Sequence, residues 1–295
     1  MGIAYALLAM VSFATNIVIT RYAVARLPVE AGFFIVLATN VLFPAAIFAG
    51  ELALRAEPWG WQWTQAGLFA IGGVIGTFMG RRFLFDTVKL LGPSRASVFH
   101  STSPAFALIA AWLLAGELLG PYEIGLMAVV WVGLWLTQPR AGSLGAVSPE
   151  VLRKGLLAGL LTVAGFGVGN VIRGIAMREW HEAALGTVIA SVAAFACQVA
   201  VTRNWPRIAA QLRGADRTTI LLYTGCGVAT SLGSIFISLA MARIEIALAV
   251  LVMHTTPLVI FPVSVFLMKN REELSARTVL GAALVLAGIA FLALR

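Results

Sequence analysis

Two short polar runs sit inside long apolar stretches and each ends at a proline. His100-Ser101-Thr102-Ser103 precedes Pro104, and Met253-His254-Thr255-Thr256 precedes Pro257. Proline removes a backbone donor and frees a carbonyl one turn earlier. An irregular polar turn of this kind survives in hydrocarbon only against protein or a water-filled cavity. Its chemistry is reversible hydrogen bonding to a polar ligand; the competing reading is that each histidine donates to a helix carbonyl as structural glue. The matched context of His100 and His254 favours a site. Asn16, beside Thr15, and Asn170, at the end of Gly165-Phe166-Gly167-Val168-Gly169-Asn170, are the next exceptions. Either they meet a ligand beside an open backbone or they bond to neighbouring helices. Arg81 suits a carboxylate or phosphate, with snorkelling to headgroups the favoured alternative. Arg82 and Asp86, spaced i, i+4, read as a local ion pair.

The elements that must position these groups are membrane spans. Of 295 residues, 60% are hydrophobic and 12% charged, with a mean hydropathy of +0.93. So little polar sequence cannot cover a water-facing globule. Apolar runs fall at about 3–25, 31–49, 65–88, 95–115, 122–138, 154–176, 183–201, 218–241, 245–268 and 277–294, each near the roughly 20 residues that cross a bilayer. Residues 202–217 place Trp205, Ile208, Ala209 and Leu212 on one helical face and read as an interfacial helix. The net charge of +8 is spread among the connections, which suits orientation and lipid headgroups better than nucleic acid. Cys197 and Cys226 fall in apolar runs and read as buried thiols. The first run is expected to be a retained helix and not a signal peptide.

A shift of 153 residues places Gly2 on Gly155, Phe13 on Phe166, Gly72 on Gly225, Gly80 on Gly233 and Pro104 on Pro257. The expected architecture is therefore an all-α integral membrane fold of ten transmembrane helices in two inverted five-helix repeats, 1–139 and 154–295, joined by a loop at 140–153. Five is odd, so the two copies enter from opposite sides, as in many secondary transporters. Gly72, Gly76 and Gly80, and their counterparts Gly225, Ala229 and Gly233, make a small-residue groove on the third and eighth helices. Static close packing and a sliding pair of gates both account for it.

Ten helices, Pro104 before Gly116-Glu117-Leu118, and Pro257 before Glu272-Glu273-Leu274 and Gly281 resemble the drug/metabolite transporter superfamily in its EamA-type branch. Within it the chain is similar to the YddG-type amino-acid exporters. The resemblance implies a secondary transporter with a central cavity, acting without a cofactor, in the cytoplasmic (inner) membrane. The first helix lacks the glutamate with which small multidrug members of that superfamily exchange protons, so cationic drug antiport is disfavoured. A small zwitterionic or neutral solute fits, amino acids with aromatic or bulky side chains first. A membrane enzyme acting on a lipid-linked substrate, or a carrier of sugars, is the alternative. The expected lining is Asn16, Thr77, Phe78, Arg81, His100, Ser103, Phe166, Asn170, Ser231, Ser234, Met253 and His254. No metal and no nucleic acid is expected, and the chain is expected to act as a monomer. Loop charges place the termini outside, whereas the resemblance places them inside. His100→Ala, Asn170→Ala and Phe166→Ala are expected to reduce transport more than Thr20→Ala or Ser264→Ala.

Overall fold

Backbone polar groups in hydrocarbon must be satisfied within the segment, so apolar runs fold as helices. The computed structural model describes residues 1–56, 59–91, 96, 99, 102–118, 120–137, 148–256, 258–260 and 276–293. His100, Pro257, Ser264 and Glu272-Glu273-Leu274 lie outside the described residues. The helices are α1 (Gly2–Ala23), α2 (Val29–Leu54), α3 (Trp63–Gly72), α4 (Arg81–Leu91), α5 (Ser103–Ala115), α6 (Pro121–Thr137), α7 (Pro149–Glu179), α8 (Ala183–Val201), α9 (Trp205–Arg213), α10 (Arg217–Met241), α11 (Ile246–Met253) and α12 (Ala276–Ala293). Among the described residues six stretches are long and apolar enough to cross a membrane: α1, α2, the continuous Trp63–Leu91, α7, α8 and α10. The protein is a multi-pass integral membrane protein.

Two expected spans take a different form. The third is not one α-helix: α3 and α4 are joined by a π-helical stretch, Gly73–Gly80. Such wider winding inside a helix commonly marks a functional position. The fourth run is helical at Ala96 and Phe99 and, after a turn at Thr102, continues as α5 from Ser103, with Pro104, which has no N–H to give to a preceding turn, in its first turn.

Contacts divide the chain into two compact units, Met1–Val74 with Ile172–Arg243, and Ile75–Val171 with Ile244–Arg295. In the first unit α10 packs on α1 and α2, and α8 on α2 and α3. The Tyr223 hydroxyl donates to Leu27 O at 2.8 Å, and its ring occupies the space a side chain on Gly32 would need. Arg55 makes a two-pronged pair with Glu182 at 2.7 and 3.1 Å. Beside it Trp59, Trp61 and Trp180 pack ring against ring, with centroids 5.4–6.4 Å apart, as an aromatic belt does at a membrane surface. The interfacial helix expected at 202–217 is α9: Asn204 caps it by accepting from Arg207 N, Ile208 is buried, and Trp205 meets Phe34 at 5.1 Å. Both cysteines are free thiols, Cys226 buried.

Asp216 caps α10, accepting from the Thr219 hydroxyl and, at 3.3 Å, from Thr219 N, with Arg26 at 3.5 Å. The Thr219 hydroxyl, followed by its backbone N–H and Arg26, holds the Asp216 carboxyl below the ordinary carboxylate range. A depressed native pKa stabilises the fold fully above the unfolded value of about 3.9 and loses that stabilisation as pH falls through the native value. Thr219→Val should therefore move the acid-side loss of thermal stability to higher pH, read from unfolding midpoints between pH 3 and 6 on the purified protein.

In the second unit α6 lies along α12 so closely that a methyl on Gly133 would come within 2.7 Å of Gly281 O. Helix α11 packs on α5 and α6. Thr87 and Thr162 hydroxyls meet at 3.5 Å between α4 and α7. Arg82 pairs with Asp86 at 3.8 Å, as their spacing suggests.

Candidate functional site

The second unit sets its polar groups at one depth because small residues let three helices cross closely. A methyl placed on Gly76 would lie 3.3 Å from Gly169 Cα, and one on Gly165 would lie 2.9 Å from Gly80 Cα. One on Gly155 would strike Leu91 at 2.4 Å. The third span therefore runs antiparallel to α7, with Arg81 level with Gly165. Phe99 faces Gly159 and Ala107 faces Gly167, so α5 runs parallel to α7 and Ser103 is level with about Val163. The apolar run of α7, Gly155 to Met177, has Phe166 at its middle. At 1.5 Å per residue, Arg81 and Ser103 both lie within about 5 Å of that midpoint, against about 15 Å from midplane to hydrocarbon edge. The snorkelling expected of Arg81 is not what this depth supports.

Thr77, Phe78, Arg81, Ser103, Phe166, Asn170, Met253 and His254 belong to this unit. Phe166 sets its ring against Gly80, where an added methyl would lie 3.3 Å from it. Asn170 is 5% exposed, Met253 is buried, and Thr77, Phe78 and Arg81 are half-buried. His254 donates its Nδ1–H to Val250 O at 2.8 Å, the structural role set against the ligand role above. Ser103 is 0% exposed, and its hydroxyl finds no hydrogen-bond partner among the described residues.

Asn16, Ser231 and Ser234 belong to the first unit. Asn16 Oδ1 accepts from Thr20 at 3.3 Å, and Thr20 Oγ1 lies 3.3 Å from Cys226 Sγ. Thr20 is thus tied into the Asn16 cluster; Thr15, exposed and bonded to Val11 O of its own helix, is the better control. Ser231 is buried beneath Asn40, whose Nδ2, in the orientation that satisfies it, donates to Gly227 O at 2.8 Å and to Val36 O and Ser231 Oγ at 3.2 Å. Ser234 is half-buried, and its carbonyl accepts from Ser238.

Sequence reading passed over Asn40, Arg173 and the role of Glu117. Asn40 and Arg173 each interrupt an apolar run, the signal that singled out Asn16 and Asn170. Arg173 lies one turn beyond Asn170 on α7, with its Nε buried. Glu117 stands beyond the C-terminus of α5, where Gly116 turns the chain at φ +66° and Glu117 N donates to Ala111 O. Its buried carboxylate accepts from Ile246 N at 2.6 Å and Ala247 N at 3.2 Å, closing the N-terminus of α11. The Gly-Glu pair is a turn followed by a cap.

Residues 1–138 match the model of the EamA-like transporter family. They are an EamA-like transporter domain. The match points to membrane transport of small molecules for that domain. A protein of known crystal structure, 19% identical, aligns over 98% of this chain and 96% of its own with a TM-score of 0.74, so the fold extends through the whole chain and not only the EamA-like half. No curated protein sequence matches it.

Proposed function

We propose that the protein exports small zwitterionic metabolites, amino acids with aromatic or bulky side chains above all, across the cytoplasmic membrane by alternating access. The observation that carries this reading is the placement of Arg81, Ser103 and Phe166 near the midpoint of α7, polar groups and a flat apolar ring at the depth where a transported solute must change partners. The EamA-like match supports transport, and kinship with YddG-type exporters within that branch is part of the proposal. An inverted repeat is supported by one contact made twice at the 153-residue offset: Gly80 against Phe166 in the second unit, Gly233 against Phe13 in the first. In the course of passage the solute meets Asn16, Ser231 and Ser234 as well as His100, Thr77, Phe78, Asn170, Met253 and His254. The protein works as a monomer.

The test is uptake of labelled amino acids into protein-containing liposomes against empty ones, with unlabelled competitors to rank side chains. Equal uptake by both liposome types for every amino acid overturns the reading. Asn170→Ala and Phe166→Ala should each lower the rate about tenfold relative to Thr15→Ala, equivalent to about 1.4 kcal/mol at the barrier. In the second unit, Asp86 is the described carboxylate nearest mid-depth, and Arg82 engages it. Downhill flux should accordingly persist when an ionophore collapses the pH gradient; loss of flux would turn attention to the histidines as proton carriers.

A further inference from the structure

The two ends of the first unit differ in charge. Arg26 meets Asp216 at one end and Arg55 meets Glu182 at the other, so each ion pair marks which connections share a surface. Residues 20–30 and 202–217, at the end that carries α9, hold six arginines and two carboxylates. Residues 51–56, 178–182 and 243, at the other end, hold three of each. Helix α2 is about 39 Å long against about 30 Å of hydrocarbon, and Phe34, which Trp205 meets, lies about 7.5 Å from its start. That contact holds α9 at the edge of the hydrocarbon. Ile208 and Leu212 turn inward, while Arg207 and Arg213 flank Pro206 and Ala210 on the opposite, exposed side. Among the described residues, none of Arg203, Arg207, Arg213 and Arg217 makes an ion pair. Arg207 and Arg217 stand in the first turns of α9 and α10, where the helix dipole disfavours a cation. Neither arginine serves the helix that carries it.

We propose that the outward face of α9 binds the phosphate groups of anionic phospholipids in the leaflet facing the cytoplasm. A guanidinium matches the oxygens of a phosphate two at a time, and the small Pro206 and Ala210 leave a headgroup room between Arg207 and Arg213. Basic connections stay on the cytoplasmic side of a membrane, where anionic lipids attract each arginine near the surface. A zwitterionic lipid carries the same phosphate with a compensating ammonium, so net charge selects the lipid. Met1, at the other end of α1, then faces away from the cytoplasm, which is the orientation the loop charges favour.

The test uses the full-length protein in detergent, with thermal stabilisation by phosphatidylglycerol as the reading. Arg207→Gln combined with Arg213→Gln should raise the apparent dissociation constant of that lipid at least about tenfold. Raising sodium chloride from about 0.1 M to about 0.5 M should weaken binding to the parent by a similar factor and to the double variant by less. Arg243→Gln, at the other end of the unit, should leave the dissociation constant unchanged. If the double variant fails to fold, Arg203→Gln with Arg217→Gln makes the same comparison. Phosphatidylcholine or inorganic phosphate stabilising as well as phosphatidylglycerol overturns the proposal, as does a double variant that binds like the parent. Sidedness is read in intact cells with a membrane-impermeant maleimide; the parent, whose Cys197 and Cys226 lie within α8 and α10, is the blank. Gly60→Cys, exposed at the other end, should be labelled in intact cells, and Ala210→Cys only once the membrane is opened. Labelling of Ala210→Cys in intact cells places α9 on the wrong leaflet and overturns the proposal.

Discussion

Glu117→Ala should yield a protein that inserts but unfolds at a markedly lower temperature and has lost transport. The carboxylate of Glu117 accepts the backbone N–H groups of Ile246 and Ala247, and Glu245, at the N-cap of α11, supplies no side-chain bond. Removing Glu117 strands two donors in a buried place, at about 1–3 kcal/mol for each, and removes a negative charge from the positive end of a helix. Every residue of α11 from Ile246 to Met253 is buried, so the helix has no solvent-facing side on which water might substitute. Glu117→Gln keeps one acceptor and should fall between parent and Ala variant. Unfolding midpoints followed by intrinsic fluorescence in detergent, together with amide exchange at Ile246 and Ala247, check this. An Ala variant as stable as the parent would show that the cap contributes nothing.

A single methyl should separate two classes of glycine. Gly73→Ala places a carbon 2.2 Å from Ala190 O, and Gly165→Ala places one 2.9 Å from Gly80 Cα. Backbone cannot step aside as a side chain does, so the helices must part along their length. Both variants should give little folded protein. Gly67, on α3 with nothing within 4 Å of its added methyl, should respond in the opposite sense: Gly67→Ala gains about 0.5–1 kcal/mol from reduced backbone freedom. Size-exclusion profiles of the solubilised variants read both outcomes. The same geometry revises the expectation for Gly76→Leu, which reads from sequence as normal insertion with transport lost. A single methyl on Gly76 would already lie 3.3 Å from Gly169 Cα, which leaves room for one carbon and not for four. That variant should lose its fold along with its transport.

Spans were legible in the sequence because hydrocarbon imposes one rule on every segment, and α8 begins and ends where the apolar run 183–201 does. The pairing of Gly80 with Phe166 was half legible: the residues stand out, but their contact is a matter of helix register, which composition does not carry. The π-helical stretch was not legible, since its glycines suit α- and π-winding alike. The depth of Arg81 stayed open between cavity and headgroups for a related reason. Its neighbours Arg82, Asp86 and Lys89 suggest a helix end, whereas the crossing with α7 sets its depth. Glu117 was visible as part of a motif, but its partners lie about 130 residues onward, and only folding brings them to it.

The division into units also governs the order in which the protein can be made. The first unit opens with Met1–Val74 but is completed by Ile172–Arg243, so residues 75–171 leave the ribosome in between. At 5–20 residues per second that interval is roughly 5–20 s. Throughout it α2 lacks α10, and Asn40 lacks the Gly227 carbonyl and Ser231 hydroxyl that later satisfy its amide. A nascent chain whose Asn40 amide keeps only the Val36 carbonyl of its own helix is a client for whatever shelters helices beside the translocation channel. Cells short of that help should degrade this protein during synthesis, before any defect in the finished molecule could be felt.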